Sequence, residues 1–228
     1  MISILCPTRN RPDEIIRLVN SILVTADNPD EIELALYIDE DDASYDHLLQ
    51  QDLGVKIVHT QGPKIVISDM WNKCCDIAQG PIYHHGSDDF VYRSLGWDTT
   101  VKEAFDKVED KILFLYGRDG HQDENLGTLG FLHENWVQAV GYAIPPYFMV
   151  DWCDNWINDV AVSLGRRVYD PSIYTEHLHP DAGKSPVDST YAERQIVRNQ
   201  NNGHGLYVEL ADKREEDVRK LQKFIEEF

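Results

Sequence analysis

Two adjacent carboxylates, Asp88 and Asp89, follow an apolar run that begins at Pro81 and has the pattern of a strand. At the end of a strand the chain can turn, so that one carboxylate binds a hard cation such as Mn²⁺ or Mg²⁺ while its neighbour meets substrate hydroxyls. Because α/β folds bind ligands at the carboxyl ends of their strands, the pair predicts a metal site. The alternative is a solvated turn, since Gly-Ser-Asp-Asp is an ordinary turn sequence.

Imidazoles from a later segment are candidates for the same site. His177 and His179 are two residues apart, so they share a face if the chain is extended there. Together with the acidic pair they would complete an octahedral site for Mn²⁺ or Mg²⁺, provided that the chain folds back to it. Ordinary surface or core histidines are the alternative. His84 and His85 lie closer in sequence and compete for this role, although on a strand only one of the two can face the site.

The first loop has the composition of an anion site. Pro7, Thr8, Arg9 and Arg11 stand between a short apolar strand and a helical pattern. This arrangement favours a nucleotide, because it combines backbone N–H groups, a helix N-terminus and two guanidinium groups. A surface turn with solvated arginines has the same pattern. Neither G-x-G-x-x-G nor a P-loop is present. Asp39 ends the next strand, where a carboxylate can accept from a base N–H or a ribose hydroxyl or can simply belong to an acidic turn.

Asp151 precedes an apolar-periodic helix and stands beside Trp152. A carboxylate against an apolar wall is suited to act as a general base. The more common role of an acidic residue at this place is to cap the helix or to stabilise its first turn.

The elements that must position these residues alternate between strands and helices. Strands are predicted at 2–6, 34–38, 55–59, 82–85, 112–116, 127–132 and 168–174, and helices at 15–23, 44–51, 68–78, 97–108, 152–164 and 211–228. The segment 176–205 has the composition of a loop. This alternation predicts βαβ units in a single α/β domain with a mainly parallel central sheet. The last helix carries an apolar stripe that either caps the domain or joins a partner, including a second copy of the chain.

Composition excludes several classes. The chain has 228 residues, 42% of them hydrophobic, and 21 basic against 40 acidic residues give a net charge of −19, which disfavours nucleic acid as a partner. The four cysteines show no zinc spacing and no disulfide framework. No charged leader and no run of about 18 apolar residues is present, so no membrane association is expected and a cytoplasmic protein is predicted.

The order of these motifs resembles the GT-A glycosyltransferases, in particular the family 2-like enzymes that use nucleotide sugars. The resemblance extends from Ile2 to about His179 and covers the first loop, the acidic end of the second strand and the segment from Trp71 to Gly80. The Asp-x-Asp-Asp metal motif of the family stands here as Gly86-Ser-Asp-Asp89, with glycine in place of the first carboxylate.

The resemblance implies residue roles. It implies donor contacts by Pro7, Thr8, Arg9, Arg11, Asp39, Asn72 and Asp88, and metal contacts by Asp88 together with His177 or His179. Asp151 falls where the family has its catalytic base, although Val150 replaces the usual preceding Glu, and Asp154 is a second candidate for that role. A GT-A domain is expected over 1–210, with a nucleotide-binding half at about 1–90 and an acceptor half at about 91–210, followed by the helix at 211–228.

The implied activity is transfer of a hexosyl or pentosyl group from a nucleoside diphosphate sugar to an acceptor hydroxyl, with a divalent cation stabilising the leaving diphosphate. Two alternatives stay open. A nucleotidyltransferase has a similar α/β layout and metal chemistry but attacks a nucleoside triphosphate. A non-catalytic nucleotide-binding module is consistent with the missing carboxylate of the motif.

Overall fold

A computed structural model describes residues 1–228 as an eight-stranded sheet with helices on both faces. The strands are β1 (Ile2–Thr8), β2 (Ile32–Asp39), β3 (Lys56–Gly62), β4 (Ile82–His85), β5 (Phe90–Tyr92), β6 (Phe114–Arg118), β7 (Gly130–His133) and β8 (Arg167–His177). The helices are α1 (Pro12–Thr25), α2 (Ile67–Ile77), α3 (Trp97–Asp106), α4 (Glu134–Val140), α5 (Cys153–Ser163), α6 (Ser189–Gln200), α7 (Gly203–Glu209) and α8 (Ala211–Glu227). The prediction of an α/β fold is confirmed. No helix is both long and apolar enough to cross a bilayer.

The first half of the chain forms the parallel part of the sheet. The strand order is β3-β2-β1-β4-β7-β6-β8-β5, and β3, β2, β1 and β4 run parallel to their neighbours in this set. Every residue of β1 and β2 is buried because helices cover both faces, which explains their nearly continuous apolar sequences. The carboxyl ends of β1, β2 and β4 therefore lie along one edge, with Leu5 opposite His85 and Thr8 opposite Ile38.

The other half of the sheet is mixed. β7 pairs antiparallel with β4 and β6, β5 pairs antiparallel with β8, and β6 and β8 are parallel. The pairing of Phe90 with His177 brings the late histidine segment directly beside the acidic pair, which the sequence prediction required but could not establish.

Some predicted elements differ from the structure. The helix predicted at 44–51 consists of two short 3₁₀ turns, Ala43–Tyr45 and Leu48–Gln50, of which the first is capped by Asp42. The segment predicted as loop, 176–205, contains α6 and the start of α7. Asp188 caps α6, since its side chain accepts from the N–H of Tyr191 at 2.8 Å. The charged and amide residues of α6 leave it few apolar positions, and this hid its helical period.

Two apolar clusters pack on opposite faces of the sheet. Ile4 and its neighbours pack with α1 and α3, whereas Leu5 packs with α2, α4, α5 and α8. The stripe of α8, which includes Val218, Leu221 and Phe224, packs into the second cluster. Of its two predicted roles, the structure therefore shows that the helix caps its own domain, and Phe228 alone in the stripe is mostly exposed.

Candidate functional site

A cavity of about 790 Å³ opens at the carboxyl edge of β1, β2 and β4. Its volume lies in the range of small-molecule sites. The walls come from the first loop, the acidic pair, α2, the segment that precedes α5, the end of β8 and α6. Among the residues predicted from sequence, the lining includes Pro7, Thr8, Arg9, Arg11, Asp39, Asp88, Asp89, Asp151, Asp154, His177 and His179.

The first loop and the end of β2 form one wall. The guanidinium of Arg9 donates to Oδ2 of Asp39, whose residue is only 1% exposed. The other oxygen of that carboxylate, Oδ1, is buried without a partner. The N–H of Asn10, which has a positive φ of 54°, donates to Asp42 at 2.6 Å and holds the loop against β2. Asp39 is thus a fixed acceptor with one free oxygen beside the cavity.

Asp88 is bound by groups from the chain itself. Its Oδ2 accepts from the hydroxyl of Thr8 at 2.8 Å, and its Oδ1 accepts from Nη1 of Arg11 at 2.7 Å. Arg11 also donates to both oxygens of Asp188, at 2.6 and 2.8 Å. Both oxygens of Asp88 are therefore engaged in holding the first loop and α6 to the end of β4.

Asp89 has the histidine partner that was expected for Asp88. Its Oδ1 lies 3.3 Å from Nε2 of His177. Although burial opposes both shifts, the two charges raise the pKa of His177 and lower that of Asp89. Two ligands at right angles about 2.1 Å from one cation are about 3 Å apart, so the Oδ1–Nε2 spacing fits an Mn²⁺ or Mg²⁺ site. Asp88 as a metal ligand stays a prediction, and Asp89 is the stronger candidate.

His179 lies beside this pair. Its ring centre is 5.0 Å from that of His177, its Nδ1 accepts from the N–H of Asp181 at 3.1 Å, and its Nε2 faces Nη1 of Arg194 at 3.1 Å. Burial and the nearby His177 lower its pKa to about 4. Asp88, His177 and His179 do not form one set of three ligands, and no group of three such residues does so anywhere in the chain. Water and substrate phosphates ordinarily complete the shell of such a cation.

Two carboxylates stand near the start of α5. Asp151 precedes the helix and does not cap it, since the position before Cys153 is held by Trp152. It accepts from Nη2 of Arg194 at 2.8 Å and from Nε of Arg198 at 2.5 Å. Although burial opposes it, these guanidinium groups lower the pKa of Asp151.

Asp154 lies in the first turn of α5 and also lines the cavity. Its carboxylate accepts from the N–H of Asn155 at 2.9 Å and forms no ion pair. Burial raises its pKa to about 6. The two acids lining one cavity thus differ in protonation, with Asp151 a fixed anion and Asp154 able to exchange a proton near neutral pH.

Comparisons with known proteins identify the architecture. No protein-family profile and no curated protein sequence matches the chain. Among solved structures, the mannosyltransferase PcManGT from Pyrobaculum calidifontis in complex with GDP-Man and Mn²⁺ superposes with a TM-score of 0.63 at 10% identity, over 98% of this chain and 73% of that one. S. aureus TarS 1–349 in complex with UDP-GlcNAc superposes with 0.59 at 15% identity, over 86% and 65%. The chain has a GT-A-type fold.

The same layout extends to a related class. A putative glucose-1-phosphate thymidylyltransferase from Bacillus anthracis in complex with a sucrose superposes with a TM-score of 0.54 at 11% identity, over 84% of this chain and 99% of that one. At these identities the superpositions show the fold, and the chemistry has to be argued from the side chains.

Asn72 is the one predicted site residue that does not line the cavity of this GT-A fold. Its side-chain amide donates to the carbonyls of Ser68 and Ile144, and its Oδ1 accepts from the N–H groups of Ala143 and Ile144. All of its hydrogen-bonding groups tie α2 to the segment after α4. Its observed contacts are structural, and donor contact by Asn72 stays a prediction.

Sequence reasoning missed the contribution of α6 to the GT-A site. Tyr191, Arg194 and Arg198 line the cavity, and the two arginines stand four residues apart on one helical face. The signal was present in the sequence, because Asp188 followed by Ser-Thr-Tyr is a good helix start. It was not used, because α6 has little apolar periodicity of its own.

Proposed function

We propose that this protein transfers a hexosyl or pentosyl group from a nucleoside diphosphate sugar to an acceptor hydroxyl. The observation that carries the proposal is the convergence of Asp39, Asp89, His177 and Asp151 from four distant segments on one cavity of a GT-A fold. The complexes of PcManGT with GDP-Man and of TarS with UDP-GlcNAc support the donor class.

The nucleoside is assigned to the β2 end of the cavity. The free Oδ1 of Asp39 is a buried acceptor, which suits a base N–H or a ribose hydroxyl, because a buried acceptor without a partner is costly. The backbone of Pro7 and Thr8 and the guanidinium groups of Arg9 and Arg11 would then lie along the diphosphate.

Asp89 and His177 are assigned to a divalent cation, Mn²⁺ or Mg²⁺. When bound, such an ion neutralises the charge that develops on the leaving diphosphate. His177 must lose its proton to act as a ligand, so the affinity of the site for the ion should fall as the pH is lowered. Asp88 holds Arg11 and Thr8 in place beside this pair.

Asp151 is assigned as the general base of an inverting reaction; in a retaining reaction it would only orient the acceptor. The acceptor oxygen forms a bond to the anomeric carbon, the bond from that carbon to the diphosphate oxygen breaks, and the acceptor proton moves to the carboxylate. Asp151 is ionised and lines the cavity, as the role requires. Asp154 is the competing candidate, because it is free of cationic partners and its pKa is closer to neutral.

A panel of nucleoside diphosphate sugars tests the proposal. The selective donor should raise the melting temperature with Mn²⁺ present and should be consumed with release of a nucleoside diphosphate. Asp89→Asn should lose the response to Mn²⁺, whereas Asp88→Asn should keep more of it. The proposal fails if no nucleotide sugar stabilises the protein and none is consumed.

The second candidate function is nucleotidyl transfer, which the superposition on the thymidylyltransferase favours. The two reactions leave different products. A nucleotidyltransferase releases pyrophosphate from a nucleoside triphosphate and a sugar phosphate, so phosphorus analysis of the products separates them. Binding of the donor without turnover would indicate a non-catalytic module.

Other expected properties stay predictions. The acceptor is expected to contact the wall formed by the segment before α5, and nucleic acid is disfavoured by the net charge of −19. A cytoplasmic location also stays an expectation. A homo-oligomer through α8 is disfavoured, since most of its stripe packs within the chain.

A further inference from the structure

His85 is a buried polar side chain with no partner. It ends β4, lines the cavity and is 6% exposed, and neither of its ring nitrogens has a hydrogen-bonding partner. Buried polar groups in proteins are nearly always paired, so an exception that borders a cavity indicates a missing ligand. The preceding residue differs, because His84 points to the opposite face, where its Nδ1 bonds the hydroxyl of Tyr92 at 2.7 Å and only its Nε2 has no partner.

The surroundings of His85 fix its orientation. Its ring meets the indole of Trp71 edge-on, with 4.2 Å between ring centres and 79° between planes. The Nε1–H of Trp71 donates to the carbonyl of Gly86 at 2.7 Å, which ties the indole to the same strand end. An imidazole held in this way is a preorganised hydrogen-bonding group and not a mobile side chain.

The chemistry of the ring limits what it binds. No carboxylate contacts His85, and burial lowers its pKa to about 3, so the ring is neutral, with one donor and one acceptor. A hydroxyl group offers the same combination. A diphosphate offers only acceptors, and it already has partners in the arginines and His177. The nucleoside base already has Asp39 as its proposed partner. A hydroxyl group is therefore the better ligand for His85.

The position of His85 in the sheet further limits which part of the donor it can contact. Asp39 ends β2 and His85 ends β4, with β1 between them, so they lie two strand spacings, about 10 Å, apart across the sheet. His85 is level with Ala35, so Asp39 also lies four residues, about 13 Å, further along the strand direction. A donor with its nucleoside at Asp39 and its diphosphate at the first loop would carry its sugar beyond β1. Trp71 would supply an apolar wall to that sugar.

We propose that His85 binds a hydroxyl of the donor sugar and thereby helps to select the sugar. This inference rests on the proposed function and adds the residue that distinguishes a nucleotide sugar from the nucleotide alone. His85 is a binding residue here and takes no proton in the reaction.

The test compares two ligands on three proteins. Titration calorimetry is carried out with Mn²⁺ and without acceptor. It measures the affinity of wild type, His85→Phe and His85→Asn for the nucleoside diphosphate and for the corresponding nucleotide sugar. His85→Phe should bind the nucleoside diphosphate within about twofold of wild type and the nucleotide sugar about tenfold more weakly. His85→Asn retains a donor and an acceptor, so it should recover part of the difference. His204→Phe, at an exposed histidine, is the control and should match wild type.

Two results would overturn the inference. His85→Phe could bind the nucleotide sugar as tightly as wild type, which would mean that His85 does not contact the donor sugar. It could also weaken the binding of both ligands equally, which would mean a role in shaping the pocket. If wild type binds no nucleotide sugar, the proposed function itself fails. Circular dichroism of both variants verifies folding, and the milder asparagine variant keeps the test valid if phenylalanine does not fit.

Discussion

Asp151 and Asp154 show how two carboxylates three residues apart acquire different chemistry. Asp151 faces two guanidinium groups, whereas Asp154 faces the cavity with one backbone N–H as its partner. A general base must be ionised and must also be able to accept a proton. The first condition favours Asp151, and the second favours Asp154 unless the donor diphosphate draws Arg194 and Arg198 away from Asp151.

The first residue-scale prediction separates these two acids. With Asp151 as the base, Asp151→Asn lowers kcat by about 10² to 10⁴ with unchanged donor affinity. The pKa of Asp151 lies below the usual range, so Asp151 stays ionised near pH 6. The pH profile of kcat/KM for wild type should therefore show no inflection near pH 6 that is due to Asp151. With Asp154 as the base, activity falls as the pH drops through about 6, where its carboxylate gains a proton.

The measurement is a pH profile of kcat/KM for wild type, Asp151→Asn and Asp154→Asn. Asp154→Asn is the matched control, because it changes an acid in the same cavity. Loss of activity in Asp154→Asn alone would contradict the assignment of Asp151. An inflection that disappears only in that variant would support the same conclusion.

At the scale of elements, α6 connects the parts of the site. Asp188 caps the helix and accepts two hydrogen bonds from Arg11, and the hydroxyl of Thr190 donates to the carbonyl of Arg9 at 3.1 Å. Two arginines of the same helix hold Asp151. One helix therefore contacts both the first loop and Asp151, the proposed base.

We predict that Asp188→Ala loosens α6. The change removes the cap, which costs about 1 kcal/mol, and releases Arg11. Hydrogen exchange of the backbone N–H groups in Ser189–Gln200 should become about fivefold faster, while exchange in β1 and β2 stays at its wild-type rate. Asp30→Ala, at an exposed acid far from α6, serves as control. Unchanged exchange in α6 would mean that this cap does not hold the helix.

At the scale of the whole molecule, an acidic chain encloses a site with many cationic groups. The net charge is −19, yet Arg9, Arg11, Arg194 and Arg198 all line the cavity. The average field keeps polyanions away. The cavity also contains seven carboxylates, and these guanidinium groups pair with three of them, so its lining is mixed in charge. The C-terminal helix α8 packs against α4 and α5.

We predict that α8 is part of the folding unit. Leu221 is fully buried, so Leu221→Ala should lower the free energy of unfolding by about 2 to 5 kcal/mol. Urea denaturation measures the change, and Val208→Ala, at a residue that is 58% exposed, should stay within about 0.5 kcal/mol of wild type. Equal stability of the two variants would show that α8 adds little to the core.

Local sequence determined much of this protein. The alternation of apolar strands and amphipathic helices defined the α/β class, because periodicity reflects which face each residue buries. The residues near strand ends, Asp39, Asp88 and Asp89, were predicted to share a site because parallel strands bring their carboxyl ends to one edge. Period two also implied that only one of His84 and His85 faces the cavity, and that residue is His85.

Tertiary structure decided which partner each side chain has. The pairing of β5 with β8 sets His177 beside Asp89 and leaves Asp88 to Arg11, a choice between adjacent residues that spacing does not determine. The same holds for α6, whose arginines reach Asp151 from more than 40 positions away. Hydrogen bonds and ion pairs act over a few ångströms, so partners that are distant in sequence are determined only when packing brings them together.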